Sequence, residues 1–198
     1  MMRYARIWIV LALVVCLTSA CNAKRAELKR FSPPDGRFKV LAPAGMAHKS
    51  MLTRWVAGDV VLHSYAADHE GVLYVVNYFD IPADVHAALR QEMRGNSPFP
   101  GRDDFIQKYG LKIKDLRTAR TGRGPDERIE PGDFFVETFK ATSANGKQAL
   151  SVQLWWHENR IYQVMAAHDV VPSYYQLIGA EAFIDSFSVQ RDPAIKGR

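Results

Sequence analysis

Six histidines are the first place to look for chemistry: His48, His63, His69, His86, His157 and His168. His63, Asp68 and His69 lie close enough in sequence to be weighed as a metal set, with Glu70 beside them, and would serve an exported metal-dependent factor or enzyme. Metal ligands usually come at closer or helical spacings such as His-x-x-x-His, which fix their geometry, and none occurs here. The Asp68-His69-Glu70 stretch reads more simply as a polar turn. A serine nucleophile on a Gly-x-Ser-x-Gly turn is absent. Asp103-Asp104 and Asp126-Glu127 are sequence neighbours, which does not place two carboxylates across a substrate as glycoside hydrolysis requires. Asp103-Asp104 is expected to cap a helix. Gly122-Arg123-Gly124 has neither the spacing nor the closing lysine of a phosphate loop. No catalytic set, no metal centre and no cofactor is therefore assigned. Trp155, His157 and Arg123 are kept as residues of a possible partner surface, because aromatics with polar handles and arginine are favoured in interfaces. Trp155 has a second reading, in which it simply lies beneath a helix.

The elements that must position these residues follow from periodicity. Ser32-Pro33-Pro34-Asp35-Gly36 is a stiff turn opening the domain, and Arg37–Leu41 alternates as a short strand. Leu52–Ala57 and Val60–Ala66 read as a hairpin turning at Gly58-Asp59. Val72–Asp80 is apolar on both faces, so it is expected inside a sheet covered on both sides. Pro82 and Asp84 start a helix that continues through Val85, Leu89 and Met93. A second short helix spans 102–109 and stops at Gly110, and 111–121 reads as an edge strand. Residues 122–128 are polar and turn-rich, as a mobile loop would be. Phe134–Thr142, Gln148–His157 and Arg160–His168 form an antiparallel meander joined by Asn145-Gly146 and Glu158-Asn159. In the middle strand Leu150, Val152, Leu154 and Trp156 share the core face. A closing helix over 173–187 is expected to bury Tyr174, Leu177, Ile178, Phe183 and Phe187.

This order predicts an α+β domain, an antiparallel sheet with helices packed on its faces. Pro34-Asp35-Gly36-Arg37-Phe38-Lys39-Val40 with Pro43, Tyr74–Asp80 before a helix, Arg160-Ile161-Tyr162-Gln163 and Phe183–Phe187 resemble the PsbP-like fold over residues 31–190. The resemblance implies an αβα sandwich that works by binding partners, commonly in the assembly or maintenance of a larger complex, with no family-wide catalytic residues.

The chain has 198 residues and a formal charge of +5, which at first favours a polyanion as partner. The basic excess is confined to residues 1–30 and 191–198, which together carry +7, leaving −2 over residues 31–190. Nucleic-acid binding needs a clustered basic face, so it is excluded as the expected role. Arg3 and Arg6 precede the apolar run Ile7–Leu17, and Thr18-Ser19-Ala20 precedes Cys21. In helix that run would span roughly 16 Å at ~1.5 Å per residue, half of a ~30 Å hydrocarbon core. It therefore reads as a signal peptide, residues 1–20, and not as a transmembrane helix.

Leu17-Thr18-Ser19-Ala20-Cys21 resembles the bacterial lipoprotein signal, with Thr18 where that family most often has leucine. The resemblance implies lipidation of Cys21 and, through Asn22, sorting to the outer membrane facing the periplasm where the organism has one. Ordinary cleavage after Thr18-Ser19-Ala20 is the alternative. Cys16 would leave with the signal, so Cys21 would be the only thiol of the mature chain, and acylation would protect it. Residues 21–30 form a basic tether, read either as lying on head groups or as solvated, and residues 191–198 a polar tail. The expected role is a lipid-anchored, non-enzymatic binding or assembly module of the cell envelope, with the membrane and a protein or small ligand as partners.

Overall fold

The computed structural model describes residues 27–55, 58–92, 99–120 and 134–190. Its strands are β1 (Lys29–Phe31), β2 (Phe38–Ala42), β3 (Ala47–Trp55), β4 (Gly58–His69), β5 (Val72–Asp80), β6 (Lys112–Arg120), β7 (Phe134–Thr142), β8 (Gln148–His157), β9 (Arg160–Asp169) and β10 (Ser188–Val189). The helices are α1 (Ala83–Glu92), α2 (Arg102–Tyr109) and α3 (Tyr174–Ser186). Seven strands form one sheet in the order β3-β4-β5-β9-β8-β7-β6, and β1-β2-β10 form a small second sheet. Every pairing is antiparallel. The domain is thus α+β, as its sequence predicts.

The expected meander of β7, β8 and β9 forms, and β5 lies inside the sheet between β4 and β9. Two expectations shift. Gly58 and Asp59 are not a turn between β3 and β4; they pair with Trp55 and Arg54 as the first residues of β4, and residues 56–57 lie outside the described residues. Lys29 and Arg30, placed by sequence in the tether, pair with Ala42 and Leu41 in β1. A three-residue strand with a polar start has too little alternation to be seen in sequence.

Alternation gives the sheet two buried faces. One packs Val75, Phe79, Phe139, Val152, Leu154, Trp156 and Ile161 against Phe105 of α2, with Val85 and Leu89 of α1 partly buried beside them. The other packs Tyr74, Val76, Tyr78, Tyr162, Val164 and Ala166 against Ala180, Phe183 and Ile184 of α3 and against Phe38 and Val40 of β2. Each large apolar side chain so buried stabilises the fold by about 1.5–3 kcal/mol. Helices on both faces make the αβα layering. The β8 face of Leu150, Val152, Leu154 and Trp156 is core, as expected.

Helix α3 departs from its expected stripe. Tyr174 is 71% exposed and Leu177 37% exposed, whereas Gly179, Ala180, Phe183 and Ile184 are buried. The small Gly179 and Ala180 sit on the inner face and the bulky N-terminal side chains are turned outward. Ser173 caps the helix, accepting from the Gln176 amide at 3.3 Å while Gln176 Oε1 accepts from the Ser173 amide at 2.8 Å, a reciprocal capping box. Gln176 Nε2 also donates to the Glu70 carbonyl at 3.1 Å, seating the helix on the β4–β5 turn. Gly71, at φ +74, leaves room there, because a Cβ would meet Gln176 Nε2 at 2.6 Å.

Asp103-Asp104 does not cap α2. The N-cap is Gly101, and both aspartates lie in the first turn, where they complement the helix dipole. The helix is held instead by Glu137 of β7, 2% exposed, which accepts from the Phe99 amide at 3.0 Å and lies 3.5 Å from Arg102 Nη1.

Candidate functional site

A cluster of ion-paired side chains lies at one end of the α3-side face. The register puts Asp80, last in β5, opposite Arg160, first in β9. Arg160 donates through Nε and Nη2 to the two Asp80 carboxylate oxygens at 2.7 and 2.8 Å, and through Nη1 to the Asp35 carbonyl at 2.6 Å. Its guanidinium lies over the Tyr78 ring, 4.5 Å from the centroid. Arg37 adds a second donor to Asp80 at 3.1 Å and lies 3.6 Å from Glu158 of the β8–β9 turn. Arg37 and Glu158 both have positive φ, 52° and 54°, a backbone state that costs a non-glycine residue energy and persists where contacts over-determine it. Here the contacts are these ion pairs. Two arginines and two carboxylates therefore lock the Asp35–Arg37 turn to the sheet.

The electrostatics follow from burial and pairing. Burial pushes the Asp80 carboxyl up, but Arg160 and Arg37 outweigh it and hold the group below the usual carboxylate range. Burial also raises Asp35, yet the Tyr78 hydroxyl, its own backbone and the Tyr65 hydroxyl, the last at 3.3 Å, bring it below that range. Burial pushes Tyr162 up to about 12, against the pull of Arg160 and Arg37. Tyr78 is raised too, first by burial and then by Asp35. These tyrosines are neutral hydroxyls at physiological pH, suited to hydrogen bonding and stacking and not to proton abstraction.

A row of rings crosses the strands beside this clamp. Neighbouring strands lie ~4.8 Å apart, and side chains at paired positions stack at that spacing. His48 of β3 lies on Tyr65 of β4 with centroids 4.5 Å apart, and His63 of β4 lies on Tyr78 of β5 at 4.7 Å. His48 and His63 meet with ring planes 5° apart, and Nε2 of the first is 3.4 Å from Nδ1 of the second. Ser50 Oγ stands 3.3 Å from the His48 nitrogen and 3.0 Å from that of His63.

The residues weighed from sequence are placed as follows. His63, Asp68 and His69 are not brought together. Odd positions of β4 such as His63 and Tyr65 face the α3 side while Asp68 points to the other face, and His69 is six residues from His63, ~20 Å along a strand. Among the described residues no three of His, Cys, Asp and Glu are grouped to hold a metal ion. That set is corrected: the three residues lie along one extended strand, His63 at its middle and Asp68 and His69 at its end. Trp155 is partly buried against the α3-side core, its ring centroid 5.6 Å from that of Phe187 and its Nε1 donating to Gln153 Oε1 at 2.9 Å. His157 is 9% exposed and its Nε2 lies 3.7 Å from Glu158, so it belongs to the turn behind the clamp. Cys21 and Arg123 lie outside the described residues. His48 and Ser50 were missed because sequence shows no register between β3 and β4.

A separate surface feature lies on the outer side of α3. Leu28, Leu41, Tyr174, Tyr175, Ile178 and Ala182 line an apolar groove of about 410 Å³, within the size range of small-ligand sites. Val170 and Val171, 44% and 88% exposed, and Leu177 are further exposed apolar side chains at and just before the start of α3. Among the described residues no helix is long and apolar enough to cross a membrane.

No family model matches the chain, and no curated protein matches it. Among solved structures it is similar to the solution structure of cyanobacterial PsbP (CyanoP) from Synechocystis sp. PCC 6803, with 12% sequence identity, 85% of this chain and 95% of that chain covered, and a TM-score of 0.45.

Proposed function

We propose that the chain is a non-enzymatic binding or assembly module of the bacterial cell envelope, fastened to a membrane by acyl chains on Cys21. The observation that carries this reading is the sequence Arg3, Arg6, Ile7–Leu17 and Thr18-Ser19-Ala20 before Cys21, with no cysteine following Cys21 in the sequence. More than one acyl chain gives firm anchoring, since each buried methylene adds ~0.8 kcal/mol. The α3 groove supports the binding half of the reading. Leu28 forms part of its wall and is seven residues from Cys21, so an extended chain keeps the groove within ~25 Å of the anchor. Exposed contiguous apolar surface of this kind marks interaction sites. Asn22 favours the outer membrane as destination, with the domain in the periplasm.

Cys21→Ser tests the anchor: fatty-acid labelling is expected to vanish and the protein to move to the soluble fraction. Labelling that survives the substitution contradicts it. For the groove, a photo-crosslinking residue at position 175 in intact cells is expected to give a discrete adduct that the same residue at exposed Asp59 does not give. Identical adduct patterns at the two positions would contradict the assignment of this surface.

A further inference from the structure

We propose that His48 and His63, with Ser50 between them, form a surface site for a borderline divalent transition-metal ion, binding Cu2+ most tightly and Zn2+ more weakly. The site is independent of the anchor and the groove. Its three donor atoms, His48 Nε2, His63 Nδ1 and Ser50 Oγ, stand 3.0, 3.3 and 3.4 Å from one another. Metal–nitrogen bonds of ~2.0–2.1 Å at a tetrahedral angle place neighbouring ligand atoms ~3.3–3.4 Å apart. The three atoms therefore already sit close to the spacing of one face of a coordination tetrahedron. Imidazole is the ligand that suits copper, zinc and nickel, and among divalent ions Cu2+ binds such nitrogen sites most strongly.

Preorganisation favours the same conclusion. Each imidazole is held from one side by a tyrosine ring, His48 by Tyr65 and His63 by Tyr78, and Tyr78 is itself held by the Arg160 guanidinium. Tyr65 is tied through its hydroxyl to Asp35. These supports limit the ring rotation that metal binding must otherwise arrest, much as outer-shell partners orient metal-bound imidazoles. Ser50 and His48 are exposed on β3, an edge strand of the sheet, so an ion reaches the pair directly and water can complete the coordination. Without metal, a ring nitrogen of one imidazole donates to the other, which keeps the same two nitrogens facing.

The test is a titration of Cu2+, then Zn2+, into the purified full chain carrying no affinity tag, followed by calorimetry and by electron paramagnetic resonance of the copper form. One Cu2+ per chain with hyperfine coupling to two nitrogens is expected. His48→Gln and His63→Gln should each weaken it by at least about 10–100-fold, the range that outer-shell partners alone command, while His69→Gln leaves it unchanged. Ser50→His, which adds a third imidazole, should tighten binding and bring in a third nitrogen coupling, a gain that a merely misfolded variant would not show. Absence of stoichiometric copper, affinity indifferent to His48→Gln and His63→Gln, or no tightening in Ser50→His would each overturn the proposal.

Discussion

The two faces of the seven-stranded sheet bury comparable apolar layers but end differently. The α1–α2 face is built of Phe, Val, Leu and Trp side chains, with Glu137 as a buried carboxylate tying α2 to the sheet. The α3 face is rich in tyrosine, and beyond the helix its tyrosines continue into His48, His63, Asp35, Asp80, Arg37 and Arg160. A helix supplies only apolar cover, so where α3 stops, the rings need polar partners for their hydroxyls and faces. The α1–α2 core is thus tied by a buried carboxylate, whereas the α3 face carries both a core and, past the helix, a run of stacked rings and paired charges.

The comparison is broken or sharpened by substitution. The largest effect is expected in the two cores: Phe139→Ala on the α2 side and Phe183→Ala on the α3 side should each cost about 3–5 kcal/mol, the usual range for a buried aromatic, read by denaturant unfolding. A small loss for Phe183→Ala alone would mean that α3 is only loosely docked. Next comes Arg160→Ala, expected to cost about 1.5–3 kcal/mol from lost charged hydrogen bonds and to change the acid limb of the stability curve. Asp80 has a lowered pKa in the folded state, so its contribution is present above the unfolded value near ~4 and is lost as pH falls through the folded value. Removing Arg160 should therefore flatten the fall in stability below about pH 4; an unchanged acid limb would remove the clamp from the account. Ser173→Ala should cost about 1 kcal/mol through loss of the α3 cap. Smallest of all, Leu177→Ser on the exposed part of α3 should stay within about 0.5 kcal/mol, whereas a core-sized loss would place Leu177 in the core.

Much of this fold is legible in sequence because period-two alternation and turn chemistry are local. Val72–Asp80, apolar on both faces, marks an interior strand, and Asn145-Gly146 marks the β7–β8 turn. What depends on packing is not legible. The inner face of α3 is chosen by where Gly179 and Ala180 let the helix approach, against the larger claim of Tyr174 and Leu177 on a helical wheel. Register is equally hidden: nothing near His63 in sequence points to His48 and Ser50, and Asp80 and Arg160 are 80 residues apart. The metal set weighed from sequence, His63 with Asp68 and His69, assumes that nearness along the chain is nearness in space. An extended strand breaks that assumption, and the residue that meets His63 comes from the strand beside it.

The central claim is that this domain works at a membrane through a lipid on Cys21, and intact-mass measurement of the protein purified from its native membranes tests it most directly. The account predicts a chain beginning at Cys21 and heavier than its residues by a diacylglyceryl group with or without a further acyl chain. An unmodified chain recovered from the soluble fraction, or one that retains residues 1–20, would contradict it.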